Sequence, residues 1–246
     1  MSVKAKPLRL NAFVAKSIGC SRRQADKLIK SGQIFFNGTR VKRDQIGIKV
    51  SVGDIVEFQG KTLSLPSLQY GILNKPAGYT TTLKDRFAKR IVMDLLPDEY
   101  IKLKPVGRLD KDTRGLLLFT DDGEIIHKLL HPKYGITKEY LVKVKGRLPI
   151  EAIAKIESGF EFPDFKGLPC KARVERASMN HTVVRLFMKE GKKRQIRRMF
   201  ALLGYPVIDL LRVAFGPIRL GRLKEGEFRL LRQREIEQLK KMVERR

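Results

Sequence analysis

Residues 107–123 read Gly107-Arg108-Leu109-Asp110-Lys111-Asp112-Thr113-Arg114-Gly115-Leu116-Leu117-Leu118-Phe119-Thr120-Asp121-Asp122-Gly123. The apolar run Leu116 to Phe119, flanked by glycines, has the length of a strand buried on both faces. Just before it lies a polar turn that carries one carboxylate, Asp110. A turn braced by a core strand holds a side chain rigidly at the lip of a cleft, as a reacting carboxylate requires. Asp is also a common turn former and N-cap, and for a lone Asp in a turn that plainer role is the more frequent one. Downstream, Asp121 suits a turn and the N-cap of a helix over Glu124 to Leu130.

Four other stretches accompany this one. Asn74-Lys75-Pro76-Ala77-Gly78-Tyr79-Thr80-Thr81 follows a short strand, Gly71 to Leu73, and its Pro and Gly make a rigid loop with the cation Lys75 at its entrance. Lys138-Glu139-Tyr140-Leu141-Val142 opens a strand that presents Tyr140 in alternation with Leu141; a strand tyrosine is more often a core or edge residue than a stacking platform. Five of the seven residues Lys192 to Arg198 are basic, and the run leads into a helix with Ile196, Met199 and Phe200 facing the core. Arg197 then lies near the edge of the buried face, where a guanidinium needs an anion. Val207 to Arg212 reads as core, with Leu210 inside.

These strings, G-R-L-D-x-x-T-x-G-L-L-L-x-T above all, closely resemble the RNA pseudouridine synthases of the RsuA/RluB type. The resemblance implies a pseudouridine synthase fold that isomerises uridine in ribosomal RNA without a cofactor. It implies Asp110 as the essential residue, Tyr140 as the tyrosine that stacks on the target base and has been considered for proton removal, and Arg197 as the partner of the aspartate. Leu210 matches the position that packs below the active site. Lys75, Arg108, Lys192, Lys193, Arg194 and Arg198 are the accompanying candidates for RNA contact. Asp121 stands where the family usually has Asn, a change between two turn formers. The R-Q-I-R-R-M form and the segment Leu210 to Ile218 look more like the large-subunit branch, which favours 23S over 16S RNA.

The first 60 residues form a separate basic module. Leu8, Leu10, Phe13, Val14 and Ile18 recur at helical spacing, and Gly19 ends that helix. Ser21-Arg22-Arg23-Gln24 is a capping-box start for a second helix, stopped by Gly32, with Arg22, Arg23, Lys27 and Lys30 outside. A hairpin turning at Asn37-Gly38 and a strand Val52 to Val56 follow. Four cations on one short helix can be a plain solvated face. The order of elements from Pro7 to Phe58, however, resembles the RNA-binding module first known from ribosomal protein S-four, which implies positioning of folded RNA by phosphate and shape contacts. Residues 61–69, polar and with Pro66, read as a linker. Residues 70–246 alternate strands and helices without a βαβ period, which predicts an α+β domain with a mixed, largely antiparallel sheet. A last helix is expected over Gln233 to Arg246.

Composition supports a polyanionic partner. The chain carries 52 Lys and Arg against 26 Asp and Glu, a formal charge of +26 on 246 residues, which self-repels unless it works against nucleic acid or an anionic membrane. Residues 1–60 hold twelve Lys and Arg against four Asp and Glu, a net +8, so both parts are basic. The sequence shows no apolar run of spanning length and no apolar signal core at Met1 to Leu10. The expectation is therefore a cytoplasmic monomer acting on ribosomal RNA or a pre-ribosomal particle. Cys20 and Cys170 suggest neither a disulfide framework nor a metal site, and His127 and His131 lack the Glu that a metal-binding helix face would carry. Nucleotide-binding glycine motifs are absent too. Two other readings remain open from the residues alone: a non-catalytic ribosome-binding or assembly protein, for which the module and charge suffice, and an RNA-modifying transferase, for which a donor site is missing.

Overall fold

The computed structural model describes residues 7–42, 45 and 47–244, and the chain divides into two compact units, Met1–Ser67 and Leu68–Arg246. In the first unit, β1 (Leu8–Arg9) pairs with β4 (Lys49–Val50), so the first helix, α1 (Leu10–Ile18), starts later than its apolar spacing suggests. Gly19 ends it in the left-handed conformation at φ 71°. The second helix, α2 (Arg22–Lys30), opens on the full capping box: the Ser21 hydroxyl accepts from Gln24 N–H, and the Gln24 side chain accepts from Ser21 N–H.

A small sheet completes this unit, with β2 (Ile34–Phe36), β3 (Thr39–Arg40), β5 (Val56–Phe58) and β6 (Lys61–Thr62) in the order β3-β2-β5-β6. Asn37 and Gly38 both take positive φ in the tight turn between β2 and β3. The expected strand over Val52 to Val56 begins only at Val56. Before it, Asp54 accepts from Ser51 N–H and from the Asn37 amide, making a turn and holding its carboxyl below the usual range. Residues 61 and 62, which read as linker, pair instead with β5. Leu63 N–H donates to Val56 O, because the hairpin gives Leu63 a place against the module's core.

The second unit is built on one mixed sheet. Its main path runs β13 (Lys171–Ala177), β14 (His181–Met188), β10 (Lys138–Lys145), β15 (Val207–Phe215), β9 (Arg114–Thr120), β7 (Tyr70–Lys75), β17 (Phe228–Leu230). Short strands β8 (Lys104–Pro105) and β16 (Ile218–Arg219) pair with β9 and β15, and β11 (Glu161–Phe162) and β12 (Phe165–Lys166) form a separate hairpin. Every strand pairing among the described residues is antiparallel except β15 with β9, and the isolated bridge between Thr80 and Ile91 is parallel too. The fold is thus α+β with a largely antiparallel sheet.

Both faces of the central strands are covered, which explains the unbroken run Leu116 to Phe119. Strand alternation sends Leu117 and Phe119 into one core layer under α4 (Ile150–Ser158) and α5 (Gln195–Leu202). Leu116 and Leu118 go to the opposite layer, under α3 (Gly123–Leu130) and α6 (Gln233–Glu244). The end of the expected last helix, residues 245 and 246, lies outside the described residues. Each buried leucine or phenylalanine of the run contributes about 1.5–3 kcal/mol. The N-cap of α3 is Asp122, which accepts from Glu124 and Ile125 N–H; Asp121 instead accepts from Gln69 N–H.

Candidate active site

The turn carrying Asp110 is held by its carbonyls. Leu109 O accepts from the Thr81 hydroxyl at 2.8 Å, and Asp110 O from Thr113 N–H at 3.0 Å. Lys111 O accepts from Gly78 N–H at 2.8 Å and from Lys75 Nζ at 3.0 Å. Asp112 O accepts from Arg197 Nη2 at 3.0 Å and Thr113 O from Lys75 Nζ at 2.8 Å. Five consecutive carbonyls therefore each hold a donor, and the backbone on which Asp110 sits has little freedom. Its carboxylate, half-buried, forms no hydrogen bond or ion pair among the described residues.

Lys75 is the residue that the local pattern misplaces. It ends β7 at the entrance of the loop but is fully buried, and its three N–H bonds go to the carbonyls of Pro76, Lys111 and Thr113. Burial pushes its ammonium down to about 8, against the opposing pull of Asp112 and Asp110. The sequence does hold a signal for this: alternation along β7 puts Lys75 on the same face as Leu73, inside the sheet. Thr81, buried beside Leu109, also accepts from Leu109 N–H at 3.3 Å, and nothing in the local pattern marks it.

Asp110 opens into a cleft of about 380 Å³ that Leu109, Tyr140, Met188, Ile196 and Leu210 line with apolar surface and Arg108, Lys192, Lys193, Arg194 and Arg197 with cations. Tyr140 is buried at the bend of β10, where a register shift against β15 falls between Glu139 and Tyr140. Glu139 points away from Tyr140, buried between the guanidinium groups of Arg185 and Arg219. Leu210 lies on β15 opposite Val142.

The cationic loop before α5 is braced by Gln195. Its side chain accepts from Lys192 N–H at 3.1 Å and donates to Glu190, which also accepts from Leu168 N–H at 2.7 Å. This brace supports Arg194 in the left-handed region at φ 50°. Arg197 reaches the cleft, but it does not pair with Asp110: its guanidinium is taken by the carbonyls of Asp112 and, at 3.5 Å, Val207. Arg198 leaves the cleft altogether. It binds Asp164 at 2.5 and 3.1 Å and lies 4.8 Å from the Phe162 ring centre, fastening the β11–β12 hairpin to α5 and holding the Asp164 carboxyl below its usual range. Arg22, Arg23, Lys27 and Lys30 are exposed on α2 in the other unit.

Gly115 closes the frame. At φ 105° it lies against β15 so tightly that a Cβ would meet Arg212 O at 2.3 Å, and Arg212 Nε in turn donates to Leu116 O at 2.7 Å. Arg114 beside it binds Asp209 with two bonds, at 2.9 and 2.7 Å, and Glu225 at 2.7 Å. No group of three or more His, Cys, Asp or Glu side chains able to hold a metal occurs among the described residues, and no described helix is long and apolar enough to cross a membrane.

The chain thus consists of two parts, a small basic module and a mixed-sheet unit that carries the Asp110 cleft. The family model of RNA pseudouridylate synthase matches residues 69–202, and that of the S4 domain residues 8–56. The chain is 37% identical over 238 residues to an RNA pseudouridine synthase of Aquifex aeolicus, covering 96% of this chain and 95% of that one. It is 36% identical to the ribosomal large subunit pseudouridine synthase B of Bacillus subtilis, over 96% of this chain and 97% of the relative. To the ribosomal small subunit pseudouridine synthase A of Vibrio vulnificus it is 34% identical, over 94% and 98%. A crystal structure of a pseudouridylate synthase superposes with a TM-score of 0.66 at 33% identity, covering 94% of this chain and 99% of that one. This chain belongs to the RNA pseudouridine synthase family, a family of isomerases.

Proposed function

We propose that this protein converts a specific uridine of ribosomal RNA, with large-subunit RNA preferred, to pseudouridine, and that Asp110 is its catalytic carboxylate. The observation that carries the reading is the Asp110 turn, immobilised at five carbonyls and open to a cleft with an apolar floor and a cationic rim. A uridine paired or stacked in folded RNA must be flipped out to enter such a cleft, at a cost of a few kcal/mol that phosphate contacts offset. Tyr140 and Leu210 supply the surface on which the flipped ring rests.

Asp110 then attacks carbon 6 of the ring or the anomeric carbon, or removes a proton from the sugar. In each route the bond from N1 to the sugar breaks, the ring turns while held, and carbon 5 bonds to the sugar. Carbon 5 loses one proton and N1 gains one, so the reaction balances without an outside reactant. Arg197 acts as a positioning residue through the Asp112 carbonyl, and its place on the cleft lets it keep the detached ring from escaping. On α2, Arg22, Arg23, Lys27 and Lys30 hold the RNA by its phosphates.

The deciding experiment maps pseudouridines in both ribosomal RNAs from cells with and without this protein, then repeats the conversion with purified protein and RNA. Loss of one large-subunit pseudouridine, restored in vitro without added cofactor, supports the proposal. A lost small-subunit site would move the target to 16S RNA, and an unchanged map would leave the non-catalytic ribosome-binding reading.

A further inference from the structure

We propose that Glu139 is a positioning residue for Tyr140: its carboxylate, bound by Arg185 and Arg219 on the reverse face of the sheet, locks the bulge between β15 and β10 that aims Tyr140 into the Asp110 cleft. The proposal rests on the reading above in which Tyr140 carries the flipped ring, and it extends the working parts of the site to the opposite side of the sheet.

Strand β10 keeps an unbroken register with β14 from Lys138 to Lys145, but not with β15. There Glu139 pairs with Ala214 and Tyr140 with Arg212, so Val213 is an extra residue without a partner on β10. From the bulge onward Val142 lies opposite Leu210, which sets the spacing of Tyr140 and Leu210 in the cleft. A register without the bulge would pair Tyr140 with Val213 and Val142 with Leu211, and Leu210 would turn away from the cleft. The productive arrangement therefore needs a lock.

The lock lies on the face away from the cleft. Alternation along β10 sends Tyr140 one way and Glu139 the other, and the Glu139 side chain is only 6% exposed. One row across the sheet runs Phe187, Glu139, Ala214, Arg219. Arg219 is thus two strands from Glu139 and reaches it across Ala214, whose methyl group leaves room for the crossing. Arg185 reaches the same carboxylate from β14 while its Nε holds Glu175 at 2.8 Å. The extra residue is tied down beside them: Leu220 N–H, directly after Arg219, donates to Val213 O at 2.9 Å. One carboxylate thus fastens β14 and β16 to β10 and keeps Ala214 in its row. A buried ion pair adds little net stability, because desolvation offsets the attraction, and fixing register is its best-attested use.

The Arg219 side chain is 65% exposed, so Arg219→Ala removes one arm of the lock with little risk to the fold, and Glu139→Gln removes the charge itself. Both full-length variants are labelled with fluorotyrosine for fluorine NMR, and the Tyr140 resonance among those of the six tyrosines is identified by its loss in Tyr140→Phe. In both variants the Tyr140 resonance should move or broaden while the others hold. The single-turnover rate of pseudouridine formation at saturating RNA should fall about 10- to 100-fold, with RNA affinity unchanged. Arg219→Lys returns a cation to the same place and should restore both resonance and rate. An unmoved Tyr140 resonance, an equal change in all six, an undiminished rate or a loss of affinity in place of rate overturns the proposal. Activity of the unmodified protein is measured in parallel. An active protein whose Arg219→Ala variant keeps the Tyr140 resonance and the rate loses the lock and retains the proposed function; a resonance that moves in a protein that makes no pseudouridine keeps the lock and removes that function.

Discussion

Replacing Lys75 by methionine keeps the length of the side chain but removes three donors from the frame beneath Asp110. Lys111 O retains the Gly78 N–H, whereas the carbonyls of Pro76 and Thr113 lose the donor that Lys75 supplies. The buried Thr113 carbonyl left unpaired costs about 1–3 kcal/mol and the half-buried Pro76 carbonyl at most as much, or about 1–6 kcal/mol together. Against this, the wild-type fold bears the cost of keeping a buried ammonium charged. The fall from 10.5 to about 8 corresponds to about 3 kcal/mol at neutral pH. The two effects nearly cancel, so urea unfolding of Lys75→Met at pH 7 should differ from wild type by no more than about 3 kcal/mol in the destabilising direction. The single-turnover rate of pseudouridine formation should nevertheless fall, by about 10²-fold, because a loosened turn misplaces the carboxylate.

The same group makes a pH signature. Below pH 8 the folded and unfolded chains both hold the Lys75 proton, and its contribution to stability has no slope. Between pH 8 and 10.5 only the unfolded chain holds it, so this contribution rises with pH by up to about 3 kcal/mol. Activity should move the opposite way, since a neutral amine with two N–H groups cannot serve three carbonyls. The stability difference between wild type and Lys75→Met should therefore shift in favour of wild type across that window. A methionine variant with the wild-type single-turnover rate, or a difference that stays flat from pH 8 to 10.5, would refute the reasoning.

Asp110→Asn preserves the size of the side chain but cannot act as a carboxylate; pseudouridine formation should become undetectable while RNA affinity in a filter-binding assay persists or rises. Asp112→Asn is the matched control, because its side chain meets only the exposed Arg194 at 3.6 Å, and it should retain most of its activity. Gly115→Ala combines a left-handed backbone with a Cβ 2.3 Å from Arg212 O, and denaturant titration should show a loss of about 2–6 kcal/mol. Changing Arg22, Arg23 and Lys27 on α2 to Ala should lower RNA affinity while leaving the single-turnover rate at saturating RNA unchanged. The salt dependence of binding should also become shallower, by about 0.7–0.9 in log–log slope for each phosphate the helix no longer neutralises.

Much of the molecule follows from patterns within a few residues. The capping box at Ser21, the left-handed stop at Gly19, the Asn37-Gly38 turn and the buried run Leu116 to Phe119 each obey a local rule, so the sequence alone specifies them. The motifs likewise mark Asp110, Tyr140, Arg197 and Leu210, and the fold gathers all four at one cleft. What those residues are bonded to was decided by the tertiary structure. Lys75 reaches carbonyls 36 and 38 positions away, and Arg197 one that is 85 positions away. Arg198, read from composition as a phosphate ligand, is consumed by Asp164 because the β11–β12 hairpin folds back onto α5. A cation in a sequence carries its charge but not its partner: whether it meets phosphate, carboxylate or carbonyl depends on which distant backbone the sheet brings within about 3 Å of it.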